Sequence, residues 1–290
     1  MVSTSWKLTL SYDGSGFHGS QRQSARRTVQ EELEHSLEVL SGHHLPTVFA
    51  GRTDRGVHAI GQVAGCPEFR SGIRDEALRT AINAHVGVDM SVVRVERVQA
   101  FHARYDATWR EYRYRIWVGA RQPLVSNLVW QRRSDLDLEA MVAGAQLLLG
   151  VQDVASFASG GEGVPWSERA ASPQGTVRTI MHCTVERVIP WWGTAAGDRG
   201  SALEVRVVAD GFLPRMVRSI VGALVEIGSG TRPPEWITQL LRERDRRLGP
   251  STAPPHGLVL WRVGYGHDVP DPDPDGTQVL GASVAPQVTG

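Results

Sequence analysis

Residues 107–118, Ala-Thr-Trp-Arg-Glu-Tyr-Arg-Tyr-Arg-Ile-Trp-Val, alternate so regularly that the stretch can only be a strand. Tyr112, Tyr114 and Ile116 fall on one face, and Glu111, Arg113 and Arg115 on the other. The rest of the chain has to be built around it. Residues 6–12 alternate in the same way and stop at the turn signal Asp13-Gly14. Thr28 and Glu31 have the spacing of a capping box, and Val29, Leu33, Leu37 and Leu40 follow at helical spacing. Short strands are expected at 47–50 and 62–66, either side of a glycine-rich loop. A helix over 74–85 and a β-branched strand over 91–98 follow.

Beyond the central strand the pattern predicts a helix at 137–149 and a long Gly-, Ser- and Pro-rich loop at 158–175. Strands follow at 176–189 and 202–209, then helices at 213–228 and 234–243 and a last strand at 257–265. Strands and helices are mixed without regular βαβ spacing. The expected class is α+β, in two halves that meet near 103–108. No internal repeat is visible.

At 290 residues the chain can bury one large core or two moderate ones. It has no apolar run long enough to span a membrane, and its first residues lead straight into a strand pattern without a secretory signal, so the expected location is the cytoplasm. Cys66 and Cys183 each sit in an apolar run with no ligand-spaced partner, which predicts buried thiols rather than a disulfide or a metal site.

The formal charge of zero hides an asymmetry. Of 31 basic residues, one is Lys7 and the remainder are arginine. Four of the acids (Asp268, Asp271, Asp273 and Asp275) lie in a Pro/Asp-rich end, leaving 31 basic against 27 acidic residues before it. Residues 101–135 hold seven arginines against three acids. Arginine suits phosphates and stacks on bases, but a coding bias toward arginine explains the composition equally well.

The sharpest local feature is Gly51-Arg52-Thr53-Asp54-Arg55-Gly56-Val57-His58, a carboxylate between two arginines on a loop bracketed by glycines. It reads either as a catalytic loop on a rigid scaffold or as a polar turn in which Asp54 caps its own backbone. Arg215 and Arg218 are spaced to project from one face of the 213–228 helix. An arginine beside Met216, Ile220 and Val221 needs a carboxylate if it is buried, or solvent if it is not. Tyr112 and Tyr114 read either as core or as rings that stack on a base. Walker, dinucleotide, zinc-protease, nucleophile-elbow and zinc-deaminase motifs are all absent from the sequence. Hydrolysis, transfer or isomerisation without a recognisable cofactor remains.

Taken in order, these blocks resemble the bacterial tRNA pseudouridine synthases of the TruA type. The resemblance runs from about residue 6 to 265. It includes Tyr12-Asp13-Gly14 with Gln21-x-Gln23, then Thr28-Val29-Gln30-Glu31, and Gly51-Arg52-Thr53-Asp54-x-Gly56-Val57-His58-Ala59-x-Gly61-Gln62-Val63. Phe101-His102-Ala103-Arg104, Tyr112-Arg113-Tyr114 and Thr176-Val177-Arg178-Thr179-Ile180 follow. Phe212-Leu213-x-x-Met216-Val217-Arg218 and Ala253-Pro254-Pro255-x-Gly257-Leu258 complete the set.

The resemblance implies the pseudouridine synthase fold: two related α/β halves sharing a mixed, largely antiparallel sheet flanked by helices, with a cleft between them. Residues 1–105 would carry the aspartate loop, 106–266 the tyrosine strand and the arginine helix, and 267–290 a disordered acidic tail. Asp54 matches the family's essential aspartate, Arg218 the arginine paired with it, and Tyr112 the tyrosine lying against the target base. Arg52 matches the arginine that enters the RNA stack as the uridine swings out. Arg55, His58, Arg104 and Arg215 are expected RNA contacts. The implied substrate is the anticodon arm of tRNA and the implied assembly a homodimer, with no metal and no cofactor.

Three departures stand out. Ser20 replaces the family's usual tryptophan, Arg55 its usual alanine, and Pro214-Arg215 the pair before Met216. Ser20 is expected to leave a volume that the indole would have filled, unless Trp6 or another side chain moves in, and Pro214 to sit in the first helical turn. They leave open a paralogue that makes pseudouridine from another RNA or a nucleotide for specialised metabolism. A non-catalytic RNA-binding protein is the reading from a different class.

Overall fold

The computed structural model describes residues 4–69, 72–158, 175–190 and 200–266. The acidic end 267–290 and all of the 158–175 stretch except its two end residues lie outside the described residues.

The alternating stretch forms β5 (Ala107–Val118) at the expected bounds. Before it come β1 (Thr4–Tyr12), α1 (Val29–Ser41), β2 (Val48–Phe49), β3 (His58–Pro67), α2 (Asp75–Asn83) and β4 (Met90–Gln99). After it come β6 (Trp130–Arg132), α3 (Leu138–Gln146), β7 (Gly150–Asp153), β8 (Val177–Val188) and β9 (Ser201–Ala209). The helices α4 (Met216–Gly228) and α5 (Trp236–Glu243) and the strand β10 (Leu258–Tyr265) complete the order. The short strands β6 and β7 are too brief to leave a periodic signal and were not expected.

All ten strands join one mixed sheet in the order β4-β1-β3-β10-β5-β9-β8-β7, with β2 on β3 and β6 on β5. Pairing is antiparallel except for β10 with β3 and β6 with β5. Among the described residues, strands from before and after residue 105 form separate blocks, joined only where His58 and Ala59 pair in parallel with Val259 and Leu260. That pairing also starts β3 four residues earlier than its own pattern suggests.

One sheet face carries the helices. Trp6, Leu8 and Leu10 of β1 and Tyr114 and Ile116 of β5 are fully buried in the same core as Leu33 and Leu37 of α1 and Ile220 and Leu224 of α4. Burying each such side chain contributes roughly 1.5–3 kcal/mol. The Thr28 hydroxyl accepts from the Glu31 amide at 3.3 Å and so starts α1; the Glu31 carboxylate does not return the contact. Cys66 and Cys183 are buried free thiols, pushed up to about 12 by burial.

The other face of β5 is charged and yet buried. Glu111 is inaccessible and accepts from Arg113 Nε at 2.8 Å and Arg206 Nε at 3.0 Å, while Glu204 accepts from Arg115 Nε at 2.9 Å. Burial opposes the Glu111 charge, but the hydrogen bonds from Arg206 and Arg113 outweigh it and hold the carboxyl below its ordinary range. Among the described residues no helix is long and apolar enough to cross a membrane.

Candidate active site

The loop between β2 and β3 enters the sheet at the seam between the two strand blocks, and nearly every residue of it is tied down. The Ala50 amide donates to Val63 O at 2.8 Å and Gln62 Nε2 to Gly51 O at 2.8 Å. Thr53 uses every polar atom it has. Its amide donates to Ser20 Oγ at 2.9 Å, its carbonyl accepts from the Ser20 amide at 3.0 Å, and its hydroxyl meets Tyr12 Oη at 2.9 Å. A turn then closes from the Val57 amide to Asp54 O at 3.1 Å, through Gly56 at φ +79°. Val57 rests on Gly14, where a Cβ would stand 2.0 Å from the Val57 carbonyl oxygen. Only Arg52 and Arg55 project freely, both exposed, and the Asp54 side chain is 39 % exposed.

Arg218 reaches Asp54 from α4, Nη1 to Oδ2 at 3.0 Å. Its Nε donates to Ala253 O at 2.7 Å, and the Ala253 amide donates back to Arg218 O at 3.0 Å. The carboxylate therefore meets a guanidinium already held in place by main chain. A bond to a charged group in so fixed a fork is stronger than a neutral one.

Tyr112 is buried on β5, edge-on to Phe212 with ring centroids 5.0 Å apart, and a Cβ at Gly51 would sit 3.8 Å from its hydroxyl. Burial first, then the neighbouring Tyr12 and Asp54, raise its pKa well above the ordinary value, so the phenol stays protonated. Its hydroxyl has no hydrogen-bond partner among the described residues. Asp54, Arg218 and Tyr112 are thus brought together from a loop, a helix and a strand far apart in sequence.

The remaining expected residues divide. His58 is buried. Its Nδ1 lies 3.1 Å from both the Gly14 amide and Asp13 Oδ1, and its Nε2 is 2.8 Å from the Asn127 carbonyl oxygen. With both nitrogens engaged, the ring braces the loop rather than facing outward. Arg104 is exposed, and its carbonyl accepts from Arg110 Nη2 at 2.7 Å. Arg215 does not share a helical face with Arg218. The helix starts at Met216, and Arg215 is its left-handed N-cap at φ +60°, with Pro214 outside the helix rather than in its first turn. A left-handed residue cannot continue a right-handed helix, so a three-residue spacing there places nothing on one face.

Two positioning residues were not anticipated. Arg110 lies on the tyrosine face of β5, and its guanidinium donates to the carbonyls of Ala50, Arg104, Ala107 and Asp210 at 2.7–3.1 Å. Period two gives the only sequence signal for it, a cation on the face of rings. Ser20 is the other. It is 1 % exposed, and Trp6 stays on β1 under Arg97 rather than moving in beside it. Ser20→Ala should leave the Thr53 amide buried without an acceptor, at a cost of about 1–3 kcal/mol. Thermal unfolding should fall by several degrees and turnover by on the order of tenfold. Wild-type turnover in single-turnover kinetics would show that the loop does not depend on this bond.

A family model described as "tRNA pseudouridine synthase" matches residues 9–106 and 145–266. The tRNA pseudouridine synthase A of Klebsiella pneumoniae is 38 % identical over 262 residues, covering 89 % of this chain and 88 % of that protein. That of Anoxybacillus flavithermus is 37 % identical over 261 residues, covering 89 % and 98 %. That of Psychromonas ingrahamii is 36 % identical over 269 residues, covering 91 % and 95 %. The family model takes in the aspartate loop and the arginine helix, and the matches to the relatives run through both and the tyrosine strand between them; the chain belongs to the tRNA pseudouridine synthase family.

Proposed function

We propose that this protein isomerises uridine to pseudouridine in the anticodon arm of tRNA, with Asp54 as the catalytic carboxylate. The observation that carries the reading is the Asp54–Arg218 pair at 3.0 Å beside the buried Tyr112. It fits the reaction. The N1–C1′ bond of the uridine breaks, the uracil turns, and C5 bonds to C1′; C5 gives up its hydrogen and N1 gains one. No second substrate is consumed. The protein has to hold a flipped base, place a carboxylate at the sugar or the ring, and exclude water.

Asp54 can do this by attack at C1′, by addition at C6, or by taking a proton from C2′, and each starts from the same carboxylate position. Arg218 fixes that position, and Tyr112 lies against the base. Arg52, exposed and without an ion-pair partner among the described residues, takes the space of the uridine in the RNA stack. Unstacking costs on the order of a few kcal/mol, which stacking on side chains offsets. The halves 1–105 and 106–266 each contribute to the cleft. The exposed Arg55, Arg104 and Arg215 contact RNA, and a second copy of the chain completes a homodimer acting in the cytoplasm.

The test is pseudouridine formation in unmodified tRNA transcripts with uridines throughout the anticodon arm, mapped by position. Product on the 3′ side of that arm is expected. Folded enzyme that binds tRNA but makes no product there, and instead converts another RNA or a small nucleotide, would replace the substrate assignment. RNA binding without conversion of any of them would remove the enzymatic one.

A further inference from the structure

The loop between β1 and α1 lies along the aspartate loop, backbone against backbone. Gly19 has φ +93°, and a Cβ there would stand 2.9 Å from Thr53 O and 3.5 Å from the Arg55 main-chain nitrogen. His18, one residue earlier, is thereby set beside Arg55. The far end of the same loop folds back onto His18. Gln23 and Arg26 form an isolated bridge closed through Ala25 at φ +56°, a conformation that a residue with a Cβ seldom adopts. Gln23 Nε2 donates to His18 O at 2.7 Å, and Arg26 Nη1 comes within 3.4 Å of His18 Nε2.

The charges here are unlike those elsewhere on the loop. Arg22 pairs with Glu34, and Arg27 with Glu32 and Asp89. Arg26 and Arg55 are exposed and have no carboxylate partner among the described residues. A guanidinium has only donors, so the His18 nitrogen facing Arg26 accepts, and His18 is neutral in that contact. Desolvation, with the charges of Arg55 and Arg26, lowers its pKa. Its other ring nitrogen is shielded from solvent and has no hydrogen-bond partner. Two like charges gathered on two interlocked loops repel one another until an anion joins them.

We propose that Arg26, held by His18, and Arg55 together bind one phosphodiester of the RNA, adjoining the uridine that Asp54 acts on. The inference rests on the proposed function and adds to it a defined phosphate. Two guanidinium forks match a phosphate's paired oxygens, and Arg55 is the immediate neighbour of Asp54, so the bound phosphate lies near the reacting nucleotide. The contact also gives the departure at Arg55 a role that an alanine cannot fill.

The experiment uses anticodon-arm RNAs in which a single methylphosphonate neutralises one linkage at a time around the target uridine. Affinity is measured for the wild type, for the Arg26→Gln, Arg55→Gln double variant, and for Arg94→Gln. Arg94 is also an exposed arginine, but it is paired with Glu96 on the sheet's edge strand β4. One linkage should weaken wild-type binding about tenfold when neutralised and should have no further effect on the double variant, whereas Arg94→Gln should keep the wild-type pattern. Equal penalties at every linkage in the wild type and the double variant would overturn the proposal. Wild-type turnover on the unsubstituted RNA reads the proposed function separately.

Discussion

Asp54→Asn should fold, bind tRNA and form no measurable pseudouridine. Asparagine keeps the shape of the side chain and an oxygen that can still accept from Arg218 Nη1, now 3.0 Å away. Arg218 also keeps its bonds to Ala253, and the loop keeps those of Thr53, none of which involves the carboxylate. The Asp54 side chain is 39 % exposed, so water already screens the ion pair and its loss costs only about 1 kcal/mol. In a chain of this size that lowers the unfolding midpoint by a few degrees. An amide, however, can neither attack carbon nor take a proton, so turnover should fall by on the order of 10⁴-fold or more. Thermal unfolding and single-turnover product analysis on the same preparation check both halves of the expectation. A stable variant retaining a tenth of wild-type turnover would move the chemistry to another residue.

The carboxylate can be tested so cleanly because its surroundings are tied by residues distant in sequence, which is also why so little of the site was legible beforehand. β5 was readable because twelve residues carry their own alternation. The helices α1, α2 and α5 were readable, to within about two residues at each end, for the same local reason. The site was not local. Asp54 looked as much like a turn residue as a catalyst until the ordered motifs were weighed together, because the arginine that meets it is 164 positions away. His58 read as an RNA contact, but the carbonyls that hold its ring come from residues 69 and 198 positions further on. The alternation put Glu111, Arg113 and Arg115 on one face of β5 but could not say what covers it. Its burial depends on Glu204 and Arg206 from β9, which no window on β5 contains. Ser20 looked like an absence and is a hydrogen bond.

The same dependence on distant main chain singles out Gly222. Arg218, Gly222 and Glu226 are four residues apart on α4 and so form one stripe. The stripe lies against residues 251–253: Arg218 on Ala253 by two hydrogen bonds, and Glu226 Oε1 accepting from the Ser251 amide at 3.2 Å. Between them the helix comes so close that a Cβ on Gly222 would stand 1.8 Å from the Ser251 carbonyl oxygen. That oxygen is backbone, so no rotamer can relieve the clash; the helix or the segment has to move by more than about 1 Å. Gly222→Ala should therefore destabilise the protein by about 1–3 kcal/mol or more, although alanine favours a helix. It should also draw Arg218 off Ala253 or off Asp54. A displacement of that size near a reacting group costs about 100-fold in turnover. Calorimetry would read the first effect, and single-turnover assays well below the variant's unfolding midpoint the second. Loss of stability with wild-type turnover in the folded fraction would mean that Asp54 does not depend on where Arg218 is held. Wild-type behaviour in both would mean that the helix does not lie this close to residues 251–253.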